Sequence, residues 1–391
     1  MTSITTPSPT DLEHTPGTRL VFGVDALEQV GELAGELGAR RVMMISDPGV
    51  TDAGHTARAH AIVEAAGLAA QSYTGVHENP STADVNSAVA CAKRFEPDLL
   101  VGLGGGSALD TTKGCNFIYT NGGVMADYHH TDREVRPMLP MIAVPTTHGT
   151  GSEAQSYALI ADEYTHMKMA CGSPHALPRI ALLDPRLTLT QPHSVATCTG
   201  IDAITHAIES YVCTRRNPVS ARYAIESFTL TINALPRVIE DPADLKARGD
   251  MLLGAAYAGL AIENSMLGSA HASANPLTAR FGTVHGQAVG VMLPHVIRFN
   301  AIDPAANRHY AELAKRAGLA CSDELADRIT ALLLQAGLQP GLATLGVDPS
   351  SFGALSVQAA GQWTARFNPR AITADDFAGL YQQAYNVEQQ A

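Results

Sequence analysis

Four side chains in the second half of the sequence have the types and the spacing expected of a metal site. Asp202 and His206 are four residues apart, so on a helix both would project from the same face. His271 and His285 follow, fourteen residues apart, with a helix break expected at Gly282 between them. One carboxylate and three imidazoles suit Fe(II), Zn(II) or a similar divalent ion. The alternative for the first pair is a solvated helix face whose two side chains share a hydrogen bond.

The residues around the first pair predict an internal helix. Ile201, Ile204 and Ile208 form an apolar stripe roughly opposite the two polar side chains. A helix with both faces occupied is buried, and a buried polar face needs partners. The sequence also predicts that His285 opens a new helix, where the helix dipole favours the neutral ring that binds metal ions.

A glycine-rich segment in the first half has the pattern of an anion-binding loop. Residues 99–107, LeuLeuValGlyLeuGlyGlyGlySer, indicate a buried strand that ends in a glycine turn at the start of a helix. The bare N–H groups of Gly105, Gly106 and Ser107, together with the helix dipole, would attract a pyrophosphate. Because the segment is neither a G-x-G-x-x-G motif nor a Walker loop, a plain strand-to-helix turn is the alternative.

A second loop of small residues follows the next predicted strand. Residues 145–153 read ProThrThrHisGlyThrGlySerGlu, in which Thr146, Thr147 and Thr150 offer hydroxyl groups. Loops at the carboxyl ends of neighbouring parallel strands lie at the same edge of a sheet. The two loops together therefore predict one cofactor site.

The elements that must position these groups differ between the two halves of the chain. Over residues 19–190, short buried strands alternate with amphipathic helices, which predicts a doubly wound α/β domain. Over residues 191–391 the strand pattern is lost, and long Ala- and Leu-rich segments predict an all-helical domain. Residues 1–18, rich in Thr, Ser and Pro, predict a disordered tail. The cleft between two such domains is a natural place for chemistry.

Hydrophobic periodicity predicts the following elements. Strands are expected at 40–46, 97–103 and 138–144, and helices at 56–68, 81–95, 198–213, 219–239, 246–263, 267–280, 285–299, 304–318, 323–336 and 373–385.

Composition and charge argue against several classes of function. The formal net charge of -12 argues against nucleic-acid binding, which needs a basic surface. No stretch is apolar over the length that a bilayer requires, so no membrane partner is expected. The six cysteines are scattered, and the N-terminus lacks the pattern of a secretory signal. These features predict a cytoplasmic enzyme with reduced thiols.

In order and spacing, four motifs of this sequence resemble those of the iron-containing, or group III, alcohol dehydrogenases. They are GlyGlyGlySer-x2-Asp-x2-Lys, ProThrThr-x-GlyThrGlySerGlu, Gly-x-AspAla-x-x-His-x-x-Glu and His-x13-HisGly. The resemblance runs from about residue 19 to the C-terminus. It implies an N-terminal dinucleotide-binding domain, a helical metal-binding domain, and NAD in the cleft between them. Carried over by position, its metal ligands are Asp202, His206, His271 and His285.

The resemblance also implies the residues that bind NAD. Asp47, directly after the predicted strand 40–46, matches the acidic residue that holds the adenosine ribose. A carboxylate there accepts hydrogen bonds from the ribose hydroxyls and repels a 2′-phosphate, so NAD is expected to be preferred over NADP. The other implied cofactor positions are Asn79, Gly105, Gly106, Ser107, Thr146, Thr147, Ser156, Lys168 and Leu187. For Lys168 the alternative is a surface charge without a role in cofactor binding.

The sequence departs from the family pattern at two catalytic positions. Many members carry a histidine four residues after the third metal ligand, where this chain has Asn275. The usual ProThrThrAlaGlyThrGly loop contains His148 here in place of alanine. We therefore predict that His148 takes over part of the proton relay, while Asn275 holds a water or the substrate by hydrogen bonds. The alternative is that His148 only packs against its loop or faces solvent.

The resemblance implies NAD-dependent oxidation of a primary alcohol to an aldehyde, and the reverse, at one divalent metal ion. Iron is the expected metal, with zinc or manganese as alternatives. Small and apolar side chains at 265–270 favour a small neutral alcohol or aldehyde as substrate. We expect a homo-oligomer, a dimer or larger.

Two other functions are compatible with this architecture. One is an NAD- and metal-dependent lyase resembling dehydroquinate synthase, which grips a phosphorylated carboxylate and needs cations around the metal. Within 198–213 and 264–292 the only cationic side chain is Arg280, which argues against the lyase. The other is a catalytically weakened regulatory member of the family, which Asn275 would allow.

Overall fold

The structure, a computed structural model, describes residues 17–129, 133–165, 167–385 and 387. The chain divides into two compact units, the first ending at Gln191 and the second beginning at Pro192. Apart from residues 17 and 18, the tail predicted over 1–18 lies outside the described residues. No helix in the described part of the chain combines the length and the apolarity needed to cross a membrane.

Six parallel strands form the main sheet of the first unit. They are β1 (Arg19–Phe22), β2 (Arg41–Ile45), β3 (Ala69–Tyr73), β4 (Leu99–Gly104), β5 (Met141–Pro145) and β8 (Ile180–Leu183), while β6 (Tyr157–Ala161) and β7 (Lys168–Gly172) form a separate antiparallel pair. Across the sheet the order is β1, β8, β5, β4, β2, β3. Because β4 lies between β2 and β5, the loops that follow these three strands meet at one edge.

Both faces of this sheet are buried under helices. Met43 and Ile45 of β2 belong to one buried apolar cluster, whereas the alternating residues Val42 and Met44 belong to another. A strand buried on both faces needs the near-continuous apolar run that the sequence shows there. The prediction of a doubly wound domain is therefore confirmed. Its helices are α1 (Val30–Glu36), α2 (Pro48–Asp52), α3 (His55–Ala65), α4 (Thr82–Phe95) and α5 (Gly106–Asn121).

The second unit is helical and has no strand among its described residues. One large apolar core, which includes Ile204, Phe228 and Met292, joins its helices. Local signals fix where helices begin: Asn217 accepts hydrogen bonds from the backbone of Val219 and Ser220, with proline at the first helical position. The helices are α6 (His193–Val212), α7 (Pro218–Glu240), α8 (Leu245–Glu263), α9 (Ser269–Phe281), α10 (His285–Asn300), α11 (Pro304–Arg316), α12 (Ser322–Gln335), α13 (Phe352–Gly361) and α14 (Ala374–Tyr385).

The structure corrects some of the predicted element bounds. Helix α6 begins at His193, five residues before the predicted start at residue 198, because the polar stretch HisSerValAlaThr hides the apolar periodicity of its first turn. Helices α1, α2 and α13 were not predicted, nor were strands β1, β3, β6, β7 and β8. The remaining predicted elements are present, with ends shifted by a few residues.

Candidate functional site

Helix α6 brings Asp202 and His206 to one face, as their spacing predicted. Oδ1 of Asp202 lies 3.5 Å from Nε2 of His206, and each side chain is only 8% exposed. On the same helix, Ile201, Ile204 and Ile208 are fully buried in the core. The helix is internal on both faces, so the alternative of a solvated polar face is wrong.

Two further helices bring His271 and His285 to the same carboxylate oxygen. His271 lies in α9, and its Nε2 is 3.3 Å from Oδ1 of Asp202. Helix α10 begins at His285, as predicted, and Nε2 of that residue is 3.8 Å from the same oxygen. The rings of His206 and His271 stack with centroids 4.8 Å apart. A ring nitrogen of each of the three histidines therefore lies within 3.8 Å of one carboxylate oxygen, and ligand atoms of Asp202, His271 and His285 all lie within 4.8 Å of one another.

The donor atoms fit a divalent metal ion. Oδ1 of Asp202 and Nε2 of His271 are buried and have no hydrogen-bond partner, an arrangement that costs free energy unless a cation lies between them. Two ligand atoms that each lie about 2.1 Å from one ion, at angles near 90–110°, are roughly 3.0–3.5 Å apart. The distances from Oδ1 to the three Nε2 atoms, 3.3 to 3.8 Å, are close to that range.

The electrostatics of the cluster also favour a cation at its centre. Burial alone would raise the pKa of Asp202, but the imidazoles of His206, His271 and His285 hold it below its usual range. Burial would lower the pKa of His271, but the carboxylates of Asp202 and Glu209 raise it to about 9. A positive charge, whether a proton or a metal ion, is stabilised between these groups.

His285 is the most exposed of the four candidate ligands. The side chain of His285 is 30% exposed, whereas those of Asp202, His206 and His271 are 5–8% exposed. A catalytic metal site keeps a coordination position accessible to substrate, unlike a closed structural site. The side of His285 is therefore the accessible side of this site.

Glu209 orients one of these ligands, a role that was not predicted. Its Oε2 lies 2.6 Å from Nδ1 of His271, and its Oε1 accepts a hydrogen bond from the backbone N–H of Ala270 at 2.6 Å. The carboxylate is 2% exposed. A carboxylate on one ring nitrogen turns the other nitrogen toward the metal. Its sequence signal is its place at the end of the Gly-x-AspAla-x-x-His-x-x-Glu motif, three residues after His206, which continues the polar face of α6.

Gly286 allows the helix of His285 to approach α6. A Cβ atom on Gly286 would lie 2.0 Å from the carbonyl oxygen of Cys198, far inside any real contact. With a larger residue at position 286, the start of α10, which carries His285, could not lie this close to α6. The HisGly pair in the sequence therefore has a packing reason, which sequence analysis missed.

Asn275 lies one helical turn after His271 and is partly buried. Its Nδ2 donates a hydrogen bond to Oε1 of Gln362 at 3.1 Å. A side-chain amide has no proton to exchange near neutral pH, so this group can orient a neighbour but cannot act as an acid or a base.

The loops predicted to bind the cofactor meet at the carboxyl edge of the sheet in the first unit. The backbone N–H of Thr146 donates to the carbonyl of Gly104 at 3.0 Å, which joins the loop after β5 to the loop after β4. A Cβ on Gly105 would lie 3.2 Å from Cγ2 of Thr147, and one on Gly106 would lie 2.9 Å from Cγ2 of Thr150. A side chain at position 106 would have to displace Thr150, and one at position 105 would require a small shift of Thr147, so the glycines favour this close packing.

The start of helix α5 has the features of an anion site. No side chain caps the helix at Gly105, so the N–H groups of its first turn point away from the helix without a side-chain acceptor. Beside it, Oγ1 of Thr147 is buried and has no hydrogen-bond partner. A pyrophosphate would satisfy both sets of donors. These residues fit the phosphate groups of a dinucleotide.

Asp47 follows β2, the third of the strands whose ends meet here, and it lies against the glycine loop, residues 104–107. It caps α2, its Oδ1 accepting a hydrogen bond from the N–H of Val50 at 2.9 Å. Its Oδ2 would be 2.8 Å from a Cβ on Gly104, so the carboxylate touches the glycine loop itself. The capping role is a structural reason for an aspartate here, in addition to the implied role in ribose binding.

Asn79 and Lys168 are brought close together by the hairpin of β6 and β7. Asn79, exposed and in a left-handed backbone conformation with φ of 53°, precedes Pro80. The carbonyl of Pro80 accepts a hydrogen bond from the N–H of Ala161 at 2.8 Å, and Ala161 pairs with Lys168 across the hairpin. Lys168 is exposed, so the surface-charge alternative stays open beside the implied cofactor contact.

Three other predicted residues are buried. Ser156 is 5% exposed, and its carbonyl accepts a hydrogen bond from the N–H of Ser173. Leu187 is fully buried in the apolar core; its N–H donates to the carbonyl of Asp184, and its carbonyl accepts from Oγ1 of Thr190. His148 is also fully buried, which excludes the alternative that it faces solvent within the described structure.

Family models match both units of the chain. Residues 17–185 match the model described as iron-containing alcohol dehydrogenase. Residues 196–385 match the model for the C-terminal part of the Fe-containing alcohol dehydrogenase family.

Named proteins match the chain over nearly its full length. It is 34% identical over 368 residues to alcohol dehydrogenase 4 of Schizosaccharomyces pombe, which covers 93% of this chain and 87% of that protein. It is 31% identical over 375 residues to the 1,3-propanediol dehydrogenase of Klebsiella pneumoniae, with 93% and 96% covered. The solved structure of sulfoacetaldehyde reductase from Bifidobacterium kashiwanohense in complex with NAD+ is similar, with a TM-score of 0.89 and 27% identity over 96% of this chain and 99% of that one.

Proposed function

This chain belongs to the iron-containing alcohol dehydrogenase family, and from that premise we propose that it oxidises a primary alcohol to an aldehyde and catalyses the reverse reaction. NAD is the hydride carrier, and one divalent metal ion, iron in our proposal, is the second cofactor. The observation that carries this proposal is the convergence of three imidazole nitrogens on Oδ1 of Asp202, two of these buried donor atoms being without a hydrogen-bond partner.

Each cofactor supplies one part of the chemistry. When bound, the metal ion acts as a Lewis acid toward the oxygen of the alcohol or aldehyde. NAD, when bound, accepts or donates the hydride. In our proposal Asp202, His206, His271 and His285 hold the metal ion. The uncapped start of α5 and the hydroxyl of Thr147 hold the pyrophosphate, and the Asp47 carboxylate holds the adenosine ribose.

The further cofactor contacts carried over from the family stay part of this proposal. Asn79 precedes Pro80, which is hydrogen-bonded to Ala161, the partner of Lys168 in the hairpin, and this proximity supports a shared contact of Asn79 and Lys168 with the cofactor. Ser156 directly precedes that hairpin, and Leu187 is kept as a contact carried over from the family.

A small neutral substrate is the class that the site favours. Arg280, the only cation in the two segments that carry the metal ligands, is exposed. Without a buried cation nearby, a phosphorylated or carboxylated substrate would lose its hydration without compensation. 1,3-Propanediol, after which one relative is named, is a small neutral primary alcohol. The matched family models do not favour the lyase or the regulatory alternative.

Two residues complete the proposal for proton transfer. Oxidation of an alcohol releases a proton, which in a water-poor site leaves through a group that titrates near neutrality. Asn275 cannot do this, and we assign it to hold a water or the substrate, with its amide fixed by Gln362. His148 is the histidine of the threonine loop, residues 145–153, and we assign part of the relay to it.

The test is metal-dependent formation of NADH from a panel of primary alcohols, after the protein is reconstituted with Fe(II), Zn(II) or Mn(II). His271→Ala should lose both metal and activity while it keeps its circular dichroism and a cooperative melt, because the ligands lie on helices with their own apolar faces. A fully active protein without metal would contradict the proposal. Homo-oligomer formation and a cytoplasmic location stay predictions, to be checked by sedimentation and by fractionation of cells.

A further inference from the structure

A lysine with no role in the proposed chemistry is completely buried in the first unit. Lys113 lies in α5 and is 0% exposed. Its Nζ donates hydrogen bonds to the carbonyl of Ser152 at 2.7 Å, to Oγ of Ser152 at 2.7 Å and to the carbonyl of Tyr157 at 2.8 Å. A buried ammonium group is costly, and its donors must all be directed at acceptors. The lysine therefore binds the end of the threonine loop and the start of β6.

Asp110 extends the same network. It is 8% exposed and lies one turn before Lys113, with its Oδ1 3.7 Å from Nζ. Oδ1 accepts a hydrogen bond from Oγ of Ser152 at 2.6 Å, and Oδ2 accepts one from the N–H of Leu159 at 3.2 Å. Both charged residues of the GlyGlyGlySer-x2-Asp-x2-Lys motif therefore bind the segment from Ser152 to Leu159.

The network joins the two loops that are proposed to hold the pyrophosphate. Helix α5 begins at Gly106, two turns before Lys113, so the helix carries the glycine loop at its start. Ser152 comes two residues after Thr150, whose Cγ2 would be 2.9 Å from a Cβ on Gly106. Hydrogen bonds made deep in α5 thereby fix the threonine loop against the glycine loop. The network reaches the ends of both loops, but none of its side chains is among the groups that are proposed to bind the anion.

We propose that Lys113 is a positioning residue for the dinucleotide: with Asp110 it holds the threonine loop at the distance from the glycine loop that the pyrophosphate requires. This inference rests on the proposed binding of NAD to these loops. The lysine acts through the backbone and hydroxyl of Ser152, and it is not assigned a contact with the cofactor. Loss of the network lets the loop of Thr146 and Thr147 move, which weakens binding even though every contacting group is still present.

The control variant uses another buried polar residue of the same helix. Asn116 is 2% exposed, and its side chain both donates to the carbonyl and accepts from the N–H of Leu139. It therefore fastens α5 to a segment that belongs to neither cofactor loop. Asn116→Ala removes a comparable number of buried hydrogen bonds and measures what general loosening of the helix does.

The experiment compares NADH binding by wild type, Lys113→Met and Asn116→Ala through the fluorescence of the nicotinamide. We expect both variants to lower Tm, but only Lys113→Met to raise the Kd for NADH, by about tenfold or more. In steady state Lys113→Met should raise the KM for NAD more than it lowers kcat, and metal content should stay unchanged because the ligands belong to the other unit. Equal Kd values for Lys113→Met and wild type, or an equal rise in Asn116→Ala, overturn the proposal.

A milder variant covers the case in which Lys113→Met does not fold. Ser152→Ala removes the hydroxyl that links Lys113 to Asp110 but leaves the two backbone carbonyls that accept from the lysine. We expect a rise of Kd of about threefold or more. An unchanged Kd in this variant overturns the proposal. Absence of NADH binding by wild type would instead mean that the proposed function itself is wrong.

Discussion

Glu209 and His271 are in close polar contact beside the candidate metal ligands, with Oε2 of the glutamate 2.6 Å from Nδ1 of the histidine. The other oxygen of Glu209 is held by the backbone of Ala270, so the carboxylate has little freedom to turn. This contact fixes which nitrogen of His271 faces Asp202. The ligand set therefore depends on a residue that would not itself bind the metal.

The first prediction concerns this contact. Glu209→Gln should weaken the affinity for the divalent ion by about 10–100-fold. In wild type the carboxylate orients the ring of His271 and raises the basicity of its other nitrogen, and the variant loses both effects. Competition with a chromogenic chelator measures the change without reference to activity. Glu312→Gln is the control, because that carboxylate binds the hydroxyl of Tyr211 on the same helix. Equal metal affinity in wild type and Glu209→Gln would remove the assignment.

The second prediction concerns Gly286. Alanine at this position would put a carbon 2.0 Å from the carbonyl oxygen of Cys198, so the start of α10 must move and carry His285 with it. We expect Gly286→Ala to weaken metal binding by at least about tenfold, because metal sites tolerate displacements of only a fraction of an ångström. In Gly353→Ala, also in a helix of the second unit, the new methyl group meets open space, and metal binding should not change. Unaltered binding in Gly286→Ala would show that α10 can adjust without moving its first residue.

These two residues show where sequence reasoning ends. Asp202 and His206 could be predicted from their spacing because a helix repeats regularly, and the central strands could be predicted because burial on both faces demands apolar runs. The role of Glu209 depends on a contact with a residue 62 positions later, and that of Gly286 on a contact with a backbone carbonyl in another helix. No local pattern encodes such a contact.

Edge position explains two of the missed strands, β1 and β3, but not β8, which lies between β1 and β5 and is fully buried. β1 and β3 lie at the two edges of the sheet, and none of their residues is fully buried; each is either exposed or partly buried. The sequence of β3, AlaAlaGlnSerTyr, contains no run of branched apolar residues. Edge strands have one neighbour and less burial, so selection for apolar side chains is weaker there.

The third prediction concerns the choice between NAD and NADP. Asp47→Asn keeps a good helix cap for α2 but removes the negative charge beside Gly104. We expect the ratio of kcat/KM for NAD over NADP to fall by about tenfold or more, since repulsion of the 2′-phosphate is lost. Asp47→Gly should relax the preference too, but at the cost of the cap. Asp52→Asn is the control for a general loss of negative charge, because Asp52 is exposed at the end of the same helix. Equal use of NAD and NADP by wild type would show that Asp47 is misassigned.

The fourth prediction concerns His148. If its ring relays protons, His148→Ala should lower kcat by on the order of 10²-fold or less and flatten the pH profile near neutrality. Metal content should not change, because His148 belongs to the first unit. His148→Gln is the companion variant, since it keeps a polar side chain of similar length but cannot titrate. An unchanged rate and pH profile in both variants would leave His148 with the packing role that its complete burial also allows.

The last prediction concerns the stability of the protein as a function of pH. Glu153 ends the threonine loop, is 1% exposed, and has one carboxyl oxygen without a hydrogen-bond partner. Burial raises the pKa of this carboxyl from 4.5 to about 7, an effect that its own backbone N–H and Lys113 only partly oppose. An acid whose pKa is raised by folding destabilises the folded state. That penalty is absent below the unfolded pKa near 4.5, grows as the pH rises and is complete above about 7.

Glu153→Gln removes this titration while it keeps the shape of the side chain. We therefore expect the variant to be more stable than wild type at pH 8, by on the order of 3 kcal/mol, with a difference that shrinks steadily toward pH 4.5. Denaturant unfolding at several pH values measures the effect. The matched control is Glu163→Gln, which removes a carboxylate from the same unit outside the buried core and should leave the pH dependence as it is in wild type. A difference between Glu153→Gln and wild type that stays constant from pH 4.5 to 8 would contradict the raised pKa, because a change in packing alone does not depend on pH.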